Sequence, residues 1–131
     1  MHSLYVSDLL ECNYRDGGRH APDLDCWGLV RIVFFRMHGA QLPMLDNVNA
    51  ASVRDKTLAH RNMLNNLHET QPTGGAIAAV MSGNLCTHVG ITISIDGNLY
   101  VLEITPNSGV RTLTLNEIEA EYGIVKYYTY G

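Results

Sequence analysis

The sequence predicts an α+β domain in which N-terminal helices pack on a mostly antiparallel sheet of five strands. Three observations carry this. The chain has 131 residues, 46% hydrophobic and 17% charged, which suits a single packed domain spanning 1–131. Apolar residues recur at helical spacing through the first half, whereas β-branched runs punctuated by turn residues fill the second. Helices followed by strands is the order of an α+β domain rather than of alternating βαβ units.

Taken in order, Leu4, Val6, Leu9 and Leu10 give Ser3–Glu11 the spacing of a short first helix. Gly17, Gly18 and Pro22 then mark Asn13–Leu24 as a loop. Asp25 is placed to cap a second helix, Cys26–His38, with Gly39 at its left-handed C′ position. Trp27, Leu29, Val30, Ile32, Val33, Phe34, Phe35 and Met37 make that helix apolar on nearly every side, so it belongs in the middle of the domain. A third, surface-lying helix is expected over Ser52–His68, from Val53, Leu58, Met63, Leu64 and Leu67. Strands are expected over Ala76–Met81, Thr87–Ile95, Leu99–Thr105, Val110–Thr114 and Ile124–Tyr130, with a helical turn at Asn116–Tyr122. The last strand reads as an edge whose Tyr127, Tyr128 and Tyr130 either form a docking surface or cap the core.

Composition excludes several classes of function. Nine basic against thirteen acidic residues leave a net charge of −4 and no basic patch, which argues against a nucleic-acid partner. The longest apolar run, Leu29–Phe35, contains Arg31 and falls far short of the roughly 20 residues a membrane helix needs. Met1–Glu11 has neither a basic n-region nor a long apolar stretch, so it does not read as a secretory signal, and synthesis in the cytoplasm is expected. Cys12, Cys26 and Cys86 are too few for a disulfide framework. Cys86 precedes His88 by two residues, but no Cys-x-x-Cys or His-x-x-x-His pair accompanies it, so no metal is expected.

Asp96-Gly97 lies between two strand patterns and is a strong hairpin signal. A two-residue turn there pairs Ile95 with Asn98, Ile93 with Tyr100, Ile91 with Leu102 and Val89 with Ile104, giving one wholly apolar face. The other face carries His88, Gly90, Thr92 and Ser94 opposite Thr105, Glu103, Val101 and Leu99. His88 and Glu103 become diagonal neighbours roughly 7 Å apart at most, with Gly90 clearing space between them. A histidine backed by a carboxylate is the base and orienter of a nucleophilic triad. Cys26, first residue of the central helix, is the candidate nucleophile, because the positive end of the helix dipole favours a thiolate. The free amides there are also placed to receive an oxyanion, typically worth about 3 kcal/mol each. The charge of Asp25 opposes the thiolate unless capping spends it on the amides of the first turn.

The segments Tyr14–Arg19, Asp25–Arg31 and His88–Ile91 together resemble the NlpC-type family of papain-like cysteine peptidases, in the family's order and over about Leu9 to Val110. The form Asp-Cys-Trp-Gly-Leu-Val-Arg is similar to members encoded in phage and prophage tail modules. The resemblance implies a papain-like NlpC-type fold and an endopeptidase, free of cofactors, that cuts the stem peptide of bacterial peptidoglycan. The bond is commonly that between D-glutamate and the following diamino acid. It further implies tail-tip proteins as partners and a place in the virion.

By the same likeness Cys26 is the nucleophile, His88 the base, Tyr14 a wall of the site near the oxyanion, and Asp25 a shaper of the pocket for a free amine. Two positions depart from the family pattern. Glu103 stands where many relatives have a second histidine, which a carboxylate replaces chemically, with Asn107 as the alternative orienter. Trp27 stands where a serine is frequent, and either narrows the cleft or packs beneath the nucleophile. Arg15 and Arg19 are candidates to meet the carboxylates of an acidic stem peptide, or else are solvated loop residues. A structural tail protein that keeps the fold without activity, and a Cys/His amidase or acyltransferase with another substrate, are the competing functions.

Overall fold

The structure, a computed structural model, describes residues 6–43 and 66–131. Its centre is an antiparallel sheet of six strands: β4 (Leu67–Thr70), β5 (Ile77–Ser82), β6 (Leu85–Ile95), β7 (Asn98–Thr105), β8 (Gly109–Thr114) and β9 (Ile124–Tyr130). They lie in the order β4-β9-β5-β6-β7-β8. The five expected strands are all present to within two residues at each end, and β4 is an addition. Its sequence, Leu-His-Glu-Thr, has no alternation of its own and is a strand because it pairs with β9, Leu67 opposite Tyr130 through to Thr70 opposite Tyr127. That pairing makes β9 internal, which corrects its placement at an edge. Tyr127 is accordingly buried.

The β6–β7 hairpin has the expected register, Ile95 opposite Asn98, Ile93 opposite Tyr100 and Ile91 opposite Leu102, around a turn in which Asp96 and Gly97 both have positive φ. Helix α1 (Cys26–His38) is capped at one end by Asp25 and at the other by Gly39, whose N–H donates to Phe35 O at 2.8 Å. Leu29, Val30, Val33 and Phe34 of α1 join Ile91, Ile93, Leu102 and Ile104 of the sheet in the main core. Burial of each such side chain contributes about 1.5–3 kcal/mol.

The face expected to be polar is covered as well. Helix α2 (Leu115–Tyr122) lies on it, opened by a capping box in which Thr114 and Glu117 bond each other's backbone N–H at 2.8 and 3.1 Å. Ile118 of α2 packs with Ala76, Ala78, Val101 and Tyr127, so Thr92, Val101 and Glu103 have no exposed surface. The expected single turn is thus a full short helix that closes the second face.

The loop expected over Asn13–Leu24 contains a small sheet of two-residue strands, β1 (Asn13–Tyr14), β2 (Arg19–His20) and β3 (Asp23–Leu24), in the order β1-β3-β2. It holds the start of α1: Asp25 N donates to Gly18 O at 3.1 Å, and Gly28 comes so close to Gly18 O that a Cβ would collide with it. The first expected helix is a single 3₁₀ turn, Ser7–Leu9, within the described residues. Of the third, 52–65 lies outside them, and Leu67 and His68 belong to β4 instead. No helix among the described residues is long and apolar enough to cross a membrane.

Candidate active site

Cys26 opens α1 and is half-buried. Its neighbour Asp25 is fully engaged: Oδ1 accepts from Gly28 N at 2.7 Å, and Oδ2 accepts from Arg19 Nη1 at 2.6 Å and Gly17 N at 3.2 Å. The negative charge is therefore balanced by a guanidinium and by backbone amides rather than left facing the sulfur. The amides of Cys26 and Trp27 have no acceptor within the helix, since a first turn offers none.

His88 of β6 reaches the same point from the sheet. Its Nε2 lies 2.8 Å from Glu103 Oε1 on β7, which leaves Nδ1 as the nitrogen available to Cys26, and His88 and Cys26 line one groove. A β-bulge helps to aim it: Val80 pairs with His88 but Met81 with Cys86, so Thr87 is an extra residue in β6. The bulge breaks the strand alternation between Cys86 and His88, and Cys86 Sγ donates to the His88 carbonyl at 3.4 Å.

Burial is the largest single influence on the His88 imidazole and pushes its pKa down. The hydrogen bonds and charges of Cys26 and Glu103 together outweigh it and raise the pKa to about 9. Glu103 shows the complementary balance. Burial alone would raise its pKa, but the bonds from His88, Arg111 and Tyr122 hold it below the ordinary carboxylate value. The site can thus hold an imidazolium against the Glu103 carboxylate at neutral pH.

Two of those partners escaped sequence reading. Arg111 Nε donates to Glu103 Oε2 at 2.6 Å, and Arg111 also pairs with Glu121 through Nη2. Tyr122 OH donates to Glu103 Oε1 at 2.8 Å, its ring resting on the imidazole with centroids 5.2 Å apart. A signal for Arg111 was present: it is the direct cross-strand partner of Glu103, an opposite-charge pair reachable by counting one strand further. Tyr122 had none, because it arrives on α2 through tertiary docking.

Cys26 and His88 open on a groove of about 720 Å³ whose walls also include Tyr14, Thr87, Asn107, Arg111 and Tyr122. Tyr14 lines the groove, its hydroxyl donating to Asp16 Oδ1 at 2.9 Å. Asn107 is on the wall, but Glu103 holds His88 Nε2.

Three of the expected substrate-contact residues lie off the groove wall. Trp27 is buried in the main core and gives its indole N–H to Pro43 O at 2.9 Å, so it packs rather than lines the cleft. Arg19 has only 10% of its side chain exposed and is committed to Asp25. Arg15 is 73% exposed, lies 3.9 Å from Asp23, and is not part of the groove wall.

No curated protein matches the chain in sequence. In fold it is similar to the NlpC/p60 domain of the peptidoglycan hydrolase SagA, with 13% identity over 99% of this chain and 96% of that one, and a TM-score of 0.61. The model of the NlpC/P60 family matches residues 11–127, a stretch that holds Tyr14, Cys26, His88 and Glu103. By that match over most of its length, the chain belongs to the NlpC/P60 family.

Proposed function

We propose that the protein is a cysteine endopeptidase that hydrolyses the stem peptide of bacterial peptidoglycan, between D-glutamate and the diamino acid that follows. One observation carries this reading: Cys26 at the positive end of α1 and His88 on β6 line one open groove, with the buried Glu103 carboxylate 2.8 Å behind His88 Nε2. Membership of the NlpC/P60 family and the likeness in fold to a domain of a peptidoglycan hydrolase support the choice of substrate.

In this reading the Cys26 thiolate attacks the carbonyl carbon, and the oxyanion that forms faces the free amides of the first turn of α1. His88 gives its proton to the nitrogen of the scissile bond, so the amine leaves and a thioester remains on Cys26. Neutral His88 then takes a proton from water, the hydroxide attacks the thioester, and the acid departs with the thiol–imidazole pair restored. Glu103 keeps Nδ1 turned to the sulfur and stabilises the imidazolium in both steps.

The Asp25–Arg31 segment further supports a place in a phage tail module, where tail-tip proteins would be the partners. Digestion of purified peptidoglycan, followed by mass analysis of the fragments, tests the function. Wild type should release fragments with a new amine on the diamino acid and Cys26→Ala should release none. Release by neither would favour a structural role for the fold, and equal release by both would remove Cys26 as the nucleophile.

A further inference from the structure

We infer that Arg111 is a positioning residue for the reaction, acting through Glu103: it fixes that carboxylate and balances its charge, which sets the pH range over which the Cys26–His88 pair is ionised. This deepens the reading of Cys26 and His88 as nucleophile and base, and rests on it.

An orienting amide or imidazole is neutral at neutral pH, whereas a carboxylate brings a full charge. Glu103 has no exposed surface, and a buried carboxylate without a counter-cation either takes up a proton or drives its neighbour to keep one. The two oxygens divide the task. Oε1 serves His88 and Tyr122, while Oε2, the oxygen turned away from the imidazole, receives Arg111 Nε. The guanidinium therefore neither competes for the imidazole nor leaves the carboxylate plane free to rotate. Its far end is held by Glu121 on α2, so Arg111 is tied at both ends.

The charged and titratable groups around Glu103 come from every element packed on it: His88 from β6 with Cys26 of α1 beyond it, Arg111 from β8, and Tyr122 from α2 with Glu121 behind the guanidinium. Arg111 is the fixed positive charge among them. Its removal takes a fixed positive charge from the site, so with Glu103 still ionised by its bonds to His88 and Tyr122 the thiol becomes harder to ionise and the imidazolium harder to deprotonate, and both edges of the ion-pair range move to higher pH. Removing Glu121 deletes a negative charge from behind Arg111 and moves them the other way.

The rate of Cys26 carboxamidomethylation by iodoacetamide against pH, read on the Cys26 peptide by mass spectrometry, reports these edges without any substrate. Full-length wild type, Arg111→Met, Arg111→Lys and Glu121→Gln are compared, with His88→Ala as reference and thermal melting to show that each variant is folded. Arg111→Met should shift the inflections upward by about 0.5–1 pH unit, Arg111→Lys should bring them most of the way back, and Glu121→Gln should shift them slightly downward. Should Arg111→Met not fold, the downward shift in Glu121→Gln carries the test. Inflections that stay in place in the folded variants would overturn the role of Arg111. A wild-type profile that matches His88→Ala would instead remove the ion pair itself, and with it the proposed peptidase.

Discussion

Nε2 of His88 stands 2.8 Å from Oε1 of Glu103, on the one charged side chain of the described core that has no exposed surface. The pairing engages Nε2 and leaves Nδ1 as the nitrogen available to Cys26. Glu103→Gln keeps the size and one acceptor oxygen but loses the charge, and should lower kcat on stem-peptide fragments by about 10- to 100-fold. Glu103→Ala should cost about 10²- to 10⁴-fold, because the ring is then free to turn. Wild-type kcat in Glu103→Ala would show that the carboxylate is only part of the packing.

The three thiols lie in different surroundings, and alkylation separates them. Burial pushes Cys12 up, and it pushes Cys86 up to about 11, against a slight lowering by the bond to the His88 backbone. Cys26 instead meets a protonated imidazole at a helix N-terminus. At neutral pH iodoacetamide should modify Cys26 at least about tenfold faster than either of the others, as read by peptide mapping. Uniform slow labelling would speak against an activated sulfur.

Asp25 caps α1, pairs with the largely buried Arg19 and accepts from Gly17 N. Asp25→Ala should therefore lower stability in urea by about 1–3 kcal/mol, through a lost cap and the loss of one ion-pair partner of Arg19. Asp25→Asn retains an acceptor for Gly28 N and should recover part of the loss. An Asp25→Ala variant as stable as wild type, altered only in KM, would return the residue to substrate binding.

Stability should also follow the proton on His88. Its pKa rises from 6.5 to about 9 on folding, so the folded state binds the proton more tightly than the unfolded one. The resulting stabilisation is complete below about pH 6.5 and fades as pH climbs through about 9. The urea stability of wild type relative to His88→Ala should fall by on the order of 2 kcal/mol between about pH 6 and about pH 10. A difference that does not change with pH would contradict the ion pair.

Local signals account for what could be read before folding. Asp25 and Gly39 bracket α1 by the chemistry of helix ends, and Asp96-Gly97 sets a register that brings His88 and Glu103 together by counting residues. Strand β4, the short strands around the glycines and the docking of α2 have no such local mark. Leu67–Thr70 becomes a strand through a partner about sixty residues away, and Tyr122 meets Glu103 because α2 folds back over the sheet. Trp27 and Arg19 lie near Cys26 along the chain yet stand off the groove wall: a helix turns successive side chains about 100° apart and sends Trp27 into the core, while Arg19 is held against Asp25.

The most direct measurement is the mass of the protein itself during turnover. Wild type mixed with stem peptide and quenched in acid within the first turnovers should carry the acyl half of the peptide as a thioester on the Cys26 peptide, labile to hydroxylamine. His88→Ala should accumulate none, and Cys26→Ala should neither acylate nor cleave. Cleavage of the stem peptide that continues in Cys26→Ala, or acylation at another residue, would contradict the account.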